Sequence, residues 1–407
     1  MLQISRDELA KRRDTRASPV RRPRVLISQQ GCIPIYRKSF FERLNKSSNI
    51  EFVVVHGHAP TGSDIIEASP PYDFPNIKVE NREFCIFGRA FIWQPVVAQV
   101  IAGAFDGAVI GEEIKYFSNI VIALAMRLRQ RPTLLWGFGY HQYDRAASTW
   151  HQRAISSAVT WFKRVLYRRV SGYLVYTESG EKALRSLGMS ADKISVLRNT
   201  VDTEREAKFR DAVAQEPIEQ ILTQLCVRPD TIKLLYFGRL VPMKHVDLLA
   251  EYARRCAERA RKVDVIIFGK GAEESRLRKM AADLNNVSFH RHDDYQLARA
   301  LRVSSAVVIP GYVGLAVTHA FAHGVPVLTR LGQMHSPEVE YVEDGVNGLM
   351  LPDEVEAFFS ALDTFVDDLE LQKRLSAAAI ETAKMLEISY MVNTFREFVQ
   401  SSLIRSP

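Results

Sequence analysis

Short apolar runs alternate with helical segments along almost the whole chain, in two successive series. The first series begins with RVLISQQ (24–30) and ends near ISVLRNT, and the second runs from IKLLYFGRL to GVNGLML. Strands that alternate with helices predict a parallel sheet covered on both faces. Between the series the sequence becomes polar and contains Pro217 and Pro229. We therefore predict the α/β fold class with two doubly wound domains, which the length of 407 residues also favours.

The domain boundaries follow from where this pattern starts, lapses and resumes. We expect the carboxyl ends of both sheets to share a central cleft, because open α/β sheets bind ligands there. The segment SYMVNTFREFVQSSLI is expected to form a helix that returns to the first domain. The predicted units are a basic flexible tail (1–23), a first domain (24–205), an inter-domain region (206–228), a second domain (229–385) and a C-terminal helix (386–407).

Cysteine usage and charge narrow the class of protein. The four cysteines lie far apart without metal-type spacing, which fits a reducing cytoplasm and predicts neither a disulfide framework nor a zinc cluster. No apolar run approaches the roughly 18 to 20 residues of a membrane span, and charges stand where a signal peptide has its apolar core. The net charge is +7, and residues 1–24 carry eight Arg or Lys against three acids. We therefore expect anionic partners, whether a membrane surface, nucleotide phosphates or nucleic acid.

Two cations follow the first strand of the second series. In FGRLVPMKHVDLL the strand ends at Gly238, and Arg239 and Lys244 lie in the loop and at the helix start. Beside helix amides they suit a diphosphate whose negative charge grows as it leaves, whereas two solvated surface cations are the alternative. Gly269 and Gly271 follow the next strand as a G-x-G without the third glycine of a dinucleotide fingerprint, which a tight strand-to-helix turn also explains.

The stretch PGYVGLAVTHAFAHGVPVLTR (310–330) predicts a strand end, a glycine turn, a short helix and another strand. Gly311 and Gly314 let the backbone approach a ligand closely. The amides of Gly314, Leu315 and Ala316 would open the helix towards that ligand.

Two histidines lie on this helix. His319 and His323 are four residues apart, on one helix face, so a metal site is one interpretation. No acid or third histidine accompanies them at a spacing that completes such a site. We predict no metal, and we expect His323 at the helix end before Gly324.

Four consecutive segments resemble the C-terminal domain of GT-B glycosyltransferases of family 4, a retaining group that uses nucleotide-diphosphate sugars. They are FGRLVPMKHVDLL, FGKGAEESRL, GLAVTHAFAHGVPVLT and EVEYVEDGVNGLML, and the resemblance covers most of residues 24–385. It implies the GT-B fold of two Rossmann-like domains, a UDP- or GDP-linked sugar donor, no metal and no separate cofactor. It also implies that Arg239 and Lys244 stabilise the leaving diphosphate. The donor-binding residues are then Gly238, Gly269, Gly271, Gly311, Gly314, Leu315, Ala316 and His319.

The chain departs from that family at two positions. Family members carry two glutamates separated by seven residues across this turn and helix, where this chain has Gly311 and His319. The second glutamate holds the nucleotide ribose, so we expect His319 to replace it as a hydrogen-bond donor or acceptor. Gly311 has no side chain to offer the donor sugar, so backbone groups serve there or the donor preference is altered.

The first domain also resembles one branch of these enzymes. LLWGFGYHQYDR is similar to a W-G-H-G segment with Phe138 in place of the histidine, and His141 is a candidate imidazole for the acceptor side. GCIPIYRKSFF places Tyr36 and Arg37 near the cleft entrance, and either glutamate of GEEI (111–114) could orient an acceptor hydroxyl. A loop histidine and exposed helix-start acids are the alternatives. The catalytic candidates are Arg239, Lys244, His141 and Glu113, and the acceptor-binding candidates are Gly31, Tyr36, Arg37, Trp136 and Phe138.

The segment HQRAISSAVTWFKRVLYRR (151–169) mixes aromatic and basic residues without an acid. This mixture suits anionic lipid headgroups, and a core helix with a solvated basic face is the alternative. Nucleic-acid binding shares the charge signature but lacks a recognition motif, so we predict no nucleic-acid partner.

We therefore expect a cytoplasmic enzyme, peripheral on the inner face of the plasma membrane, that moves a sugar from a nucleotide-diphosphate sugar to a hydroxyl of a lipid-linked saccharide. The expected pathway is bacterial surface polysaccharide synthesis. Because both family glutamates are absent, a catalytically weak sugar-nucleotide-binding partner subunit is the first alternative. A phosphorylase-like or epimerase-like GT-B enzyme is the second.

Overall fold

The computed structural model describes residues 21–405 except for 30, 47, 60–64, 87, 88, 114, 140–168 and 292. His141, residues 1–20 of the basic tail and nearly all of the segment 151–169 therefore lie outside the described residues.

The described residues form a parallel sheet in each half of the chain. Those of the first half contain β1 (Arg24–Ser28), β2 (Glu51–His56), β3 (Asn76–Lys78), β4 (Arg82–Ile86), β5 (Arg89–Trp93), β6 (Gly107–Gly111), β7 (Thr133–Gly137), β8 (Gly172–Val175) and β9 (Ile194–Val196). Seven of these pair in the order β3-β2-β1-β6-β7-β8-β9, while β4 and β5 make a separate antiparallel hairpin. Central strands such as β2, EFVVVH, are almost wholly buried, because a parallel sheet is covered on both faces.

The second sheet has the strand order of a dinucleotide-binding fold. Its strands are β10 (Ile232–Phe237), β11 (Val263–Phe268), β12 (Val287–His290), β13 (Ala306–Ile309), β14 (Val327–Arg330) and β15 (Gly348–Leu351). The described strands pair in the order β12-β11-β10-β13-β14-β15, and every pair is parallel. The direction of winding therefore reverses between β10 and β13.

Helices connect the strands and cover the sheets. Over the described residues they are α1 (Ile35–Asn45), α2 (Val97–Ile101), α3 (Phe117–Leu128), α4 (Glu178–Ser186), α5 (Thr203–Val213), α6 (Ile218–Gln224), α7 (Asp247–Glu258), α8 (Glu274–Met280), α9 (Asp294–Val303), α10 (Ala316–Ala322), α11 (Val355–Asp367), α12 (Leu369–Met385) and α13 (Ile388–Arg405). The predicted α/β class with two Rossmann-like sheets is confirmed.

Two segments join the halves. Helices α5 and α6 occupy the region expected between the domains, where α5 packs on α9 and α10, and Ile221 and Leu225 are buried in the core of the second domain. Helix α13 lies on the first domain, where Met391 and Phe395 are buried in the same cluster as Phe40. The rings of Phe395 and Phe40 meet edge to face with centroids 5.4 Å apart.

Candidate active site

The candidate site lies at the point where the second sheet reverses its winding. Strand β10 pairs with β11 on one side and with β13 on the other. The loops that begin at Gly238, Gly269 and Pro310 therefore leave the same edge of the sheet. Ligands of open α/β sheets bind in such a crevice.

Three glycines hold the loop 238–244 in place. A Cβ atom on Gly269 would lie 2.2 Å from the carbonyl oxygen of Gly238, one on Gly271 would lie 2.2 Å from that of Leu240, and one on Gly311 would lie 2.2 Å from that of Met243. Each glycine therefore admits the backbone of this loop, and any side chain would displace it. The absence of a side chain at position 311 is a packing requirement of the loop.

This loop carries both predicted cations. The ammonium of Lys244 donates to the carbonyl of Tyr312 and lies 5.3 Å from the centroid of its ring. Burial, and next the positive charge of Arg239, lowers the pKa of Lys244 to about 8. The two cations are therefore close enough to repel, and an anion bound between them would relieve that repulsion.

A buried histidine that the sequence analysis did not single out fixes the turn after β13. The N–H of Val313 donates to Nδ1 of His335 at 3.1 Å, and Nε2 of His335 lies 3.1 Å from the carbonyl oxygen of Arg330. This bonding needs a neutral ring with its proton on Nε2. Burial lowers the pKa of His335 and so favours that neutral form. His335 follows the glycine-turn motif, where no sequence signal marked it.

The start of α10 has an open side. A Cβ atom on Gly314 would meet nothing nearer than Oγ of Ser336, at 4.0 Å. The three amides that follow Ala316 bond back into the turn, whereas those of Gly314, Leu315 and Ala316 have no acceptor among the described residues. These three N–H groups are therefore free to bind an anion.

A carboxylate meets the two histidines of α10. Nδ1 of His319 lies 3.2 Å from Oε1 of Glu206, and Nε2 of His323 lies 3.2 Å from Oε2 of the same group. Glu206 comes from α5 and had no sequence signal. The ring of His319 also meets that of Phe237, at the end of β10, with centroids 6.0 Å apart. Within the described part of the chain, no group of three or more His, Cys, Asp or Glu side chains is placed to hold a metal ion.

On the first-domain side, the two glutamates of GEEI differ. The carboxylate of Glu112 accepts the N–H groups of Phe138 and Gly139 at 2.7 and 3.2 Å, and also the hydroxyl of Tyr173, so it fixes the turn after β7. Glu113 is half exposed and pairs with Lys115 at 2.6 Å. Glu113 and the exposed Phe138 therefore remain available to a ligand.

Arg37 and Trp136, which were predicted to bind the acceptor, are both buried, with 4% and 8% of their surface exposed. The guanidinium of Arg37 lies 5.0 Å from the ring of Trp136 and donates to the side chain of Asn199. Asn199 in turn donates to Glu338 of the second domain. Arg37 therefore belongs to the domain interface. Gly31 is buried as well, whereas Tyr36 is 42% exposed.

Further polar contacts cross between the domains beside the cleft. The carboxylate of Glu340 accepts the N–H of Ser179 at 3.0 and 3.1 Å, in the first turn of α4. The hydroxyl of Tyr341 donates to the carbonyl of Asn199 at 3.1 Å. The segment 337–341 of the second domain thus docks directly on the first.

Two parallel sheets with a cation-bearing loop at the switch point of the second define a protein of the GT-B fold. Residues 218–382 match the family model described as glycosyl transferases group 1. D-inositol 3-phosphate glycosyltransferase of Kribbella flavida is 28% identical over 225 residues, which are 51% of this chain and 50% of that protein. The chain thus spans about half the length of the curated relatives it matches.

Solved structures extend the likeness of fold over nearly the whole chain. Anabaena Alr3699/HepE in complex with UDP superimposes with a TM-score of 0.67 at 18% identity, over 93% of this chain and 100% of that one. WaaG, a glycosyltransferase involved in lipopolysaccharide biosynthesis, gives a TM-score of 0.64 at 14% identity, over 92% and 99%. These likenesses show the GT-B fold over both halves of the chain.

Proposed function

We propose that this protein transfers a sugar from a nucleotide-diphosphate sugar to a saccharide hydroxyl with retention of anomeric configuration, as a member of glycosyltransferase family 4. The observation that carries the proposal is the pair Arg239 and Lys244. Both lie on the glycine-clamped loop, which is the loop 238–244 packed against Gly269, Gly271 and Gly311 at the switch point of the sheet. The positive charge of Arg239 helps to lower the pKa of Lys244. Such a pair matches a diphosphate leaving group.

In this proposal the chain stabilises charge that develops as the glycosidic bond to the diphosphate breaks. Arg239 and Lys244 face the diphosphate oxygens, and the amides of Gly314, Leu315 and Ala316 supply further donors. Groups held in place before reaction act most strongly on charge that grows in the transition state. The proposed reaction uses neither a metal nor a cofactor besides the sugar nucleotide.

The donor sugar would be linked to UDP or GDP, with the ribose of that nucleotide against His319. The Anabaena structure supports UDP, because that protein was solved with it. On the acceptor side we assign Glu113, Tyr36 and Phe138, together with His141, which lies outside the described residues.

We further propose a lipid-linked acceptor for bacterial surface polysaccharide, met at the cytoplasmic face of an anionic membrane. The description of WaaG supports this class of pathway. Helix α3 supports the membrane surface, because Phe117, Leu124 and Leu128 on one helical face are 43%, 56% and 87% exposed. Four cations in or beside α3 in the sequence are exposed, namely Lys115, Arg127, Arg129 and Arg131. Of these, Lys115 pairs with Glu113 at 2.6 Å and Arg131 lies 4.0 Å from Asp106. None of the helices among the described residues is long and apolar enough to span a membrane.

Turnover of sugar nucleotides tests the proposed reaction. Purified protein with a pool of UDP- and GDP-sugars and a lipid-linked saccharide should release nucleoside diphosphate and form a glycoside with the donor's anomeric configuration. NMR of the product would show that configuration. Release of nucleotide with an inverted product would contradict retention. Binding without any transfer or hydrolysis would favour the alternative of a sugar-nucleotide-binding subunit, for which the bare Gly311 is the supporting observation.

A further inference from the structure

Glu206 stands between two histidines that belong to another part of the chain. It lies on α5, while His319 and His323 lie one turn apart on α10, and each imidazole has one nitrogen 3.2 Å from a different carboxylate oxygen. The side chain of Glu206 is 11% exposed. This packing joins the helix that follows the domain crossing to the helix that borders the candidate site.

The two histidines are not equivalent. The side chain of His323 is 1% exposed, whereas that of His319 is 26% exposed. Nδ1 of His319 is itself buried, and its 3.2 Å contact with Glu206 is electrostatic, outside hydrogen-bond geometry. The exposed surface of His319 therefore belongs to the rest of the side chain, which includes Nε2. His319 also touches Phe237, the residue before Gly238 and Arg239. Only His319 of the pair can therefore reach a ligand at the switch point.

The electrostatics give the carboxylate a fixed charge. Burial by itself raises the pKa of Glu206, but the facing imidazole of His319, followed by that of His323, outweighs it, and the net pKa is well below the usual range. An ionised carboxylate on one ring nitrogen keeps a proton there and fixes the ring orientation. The opposite nitrogen is then presented to a ligand.

We propose that Glu206 is a positioning residue for nucleotide binding, which holds His319 through Nδ1 so that Nε2 meets a ribose hydroxyl of the donor. This inference rests on the proposed function. The acid at this position of the site is thus supplied from α5, and it reaches the nucleotide through an imidazole.

The first test is a double-mutant cycle read by titration with UDP and GDP. In the parent background, Glu206→Gln should lower the affinity for the better-bound nucleotide about five- to tenfold, on the scale of one hydrogen bond. In a His319→Ala background, it should change that affinity less than twofold. The affinity for the 2′,3′-dideoxy nucleotide should not change. His323→Gln is the matched control, because it removes the other contact to Glu206 and should lower the melting temperature without changing nucleotide affinity.

A charge exchange tests the same idea should Glu206→Gln fail to fold. His319→Glu alone places two carboxylates face to face and should lower both stability and nucleotide affinity. Adding Glu206→His should restore stability, and it should bring the nucleotide affinity to within about threefold of that of the parent. Equal affinity of the single and exchanged variants would overturn the proposal, because the two positions would then act independently.

Other outcomes separate this inference from the proposed function. If the parent protein binds neither UDP nor GDP, the proposed function and the inference are both contradicted. If the parent binds UDP or GDP, but Glu206→Gln leaves the affinity unchanged or lowers it equally in the parent and His319→Ala backgrounds, only the inference is overturned. Equal losses of affinity in Glu206→Gln and His323→Gln would assign Glu206 a purely structural role and overturn it as well.

Discussion

At the scale of residues, Lys244 ties the site to pH. Its folded pKa of about 8 lies below the ordinary lysine value of 10.5, so between these values the unfolded chain binds more protons, and the stability of the free protein should rise with pH. Nucleotide binding should change in the opposite direction, because the diphosphate needs the charged ammonium. We predict that UDP affinity falls above pH of about 8 while the free energy of unfolding rises.

Lys244→Met is the control for both trends. Urea unfolding and nucleotide titration at several pH values would show weak, pH-independent binding in this variant and a smaller stability slope than in the parent. Identical slopes in parent and variant would show that Lys244 is not the titrating group.

The positions of candidate residues could be predicted from sequence where they depend on a strand end. Arg239 and Lys244 were found because both follow β10 within seven positions of Phe237. Glu206 was not found, because it lies 117 positions from His323 and meets it only through the packing of α5 on α10. The burial of Arg37 could not be predicted either, because its partner Glu338 comes from the other domain by way of Asn199.

At the scale of elements, the glycine-clamped loop explains why position 311 has no side chain. A Cβ atom there would lie 2.2 Å from the carbonyl oxygen of Met243 and 2.7 Å from the carbonyl carbon of Lys244. Because these are backbone atoms, Gly311→Ala should displace the loop at a cost of about 1–3 kcal/mol in unfolding free energy. It should also weaken nucleotide binding by at least about tenfold, since one lost charge contact is worth about that much.

Gly314→Ala is the matched variant, since the nearest atom to its Cβ would be 4.0 Å away. Its unfolding free energy should stay close to that of the parent. Gly311→Glu, which returns a carboxylate to this position, should be less stable than Gly311→Ala. A Gly311→Glu protein that gained stability and nucleotide affinity would show that the loop adapts, contrary to this account.

The apolar stripe of α3 predicts salt-sensitive binding to vesicles of equal parts phosphatidylglycerol and phosphatidylcholine. Leu124→Ser with Leu128→Ser should weaken it by about tenfold or more, since each buried leucine contributes about 1.5–3 kcal/mol. Leu369→Ser with Met385→Ser is the matched control, at 57% and 54% exposed positions of α12. Equal losses in both double variants, or none in either, would leave α3 without a membrane role.

The strands were easier to predict than the helices of the connecting segment. Runs such as VDVIIF in β11 are wholly buried and therefore read as apolar strands. Helices α5 and α6 lie in polar sequence, and their buried positions, such as Val213 and Ile221, are too sparse to give a clear period. Their helical state depends on packing against the second domain.

At the scale of the whole molecule, alternation predicted both sheets, and the order β12-β11-β10-β13-β14-β15 places the switch point where the cations lie. The return of α13 to the first domain was expected and rests on apolar packing, whereas the polar contacts between the domains were beyond prediction, because they join distant segments. Asn199 is the centre of these contacts, since it bonds Arg37 of one domain and Glu338 of the other. The cleft is therefore bounded by a buried polar bridge, which a hydrophobic pattern cannot reveal.

In the proposed function, a nucleoside diphosphate binds at this switch point through Arg239 and Lys244. Calorimetric titration of the full chain with UDP, GDP and the matching monophosphates tests it most directly. We expect one diphosphate to bind at least about tenfold more tightly than its monophosphate, because the second phosphate gains charge-assisted hydrogen bonds. Arg239→Ala with Lys244→Met should abolish this preference while the protein stays folded. Equal affinity of the parent for diphosphate and monophosphate, or a preference that survives the double variant, would contradict the account.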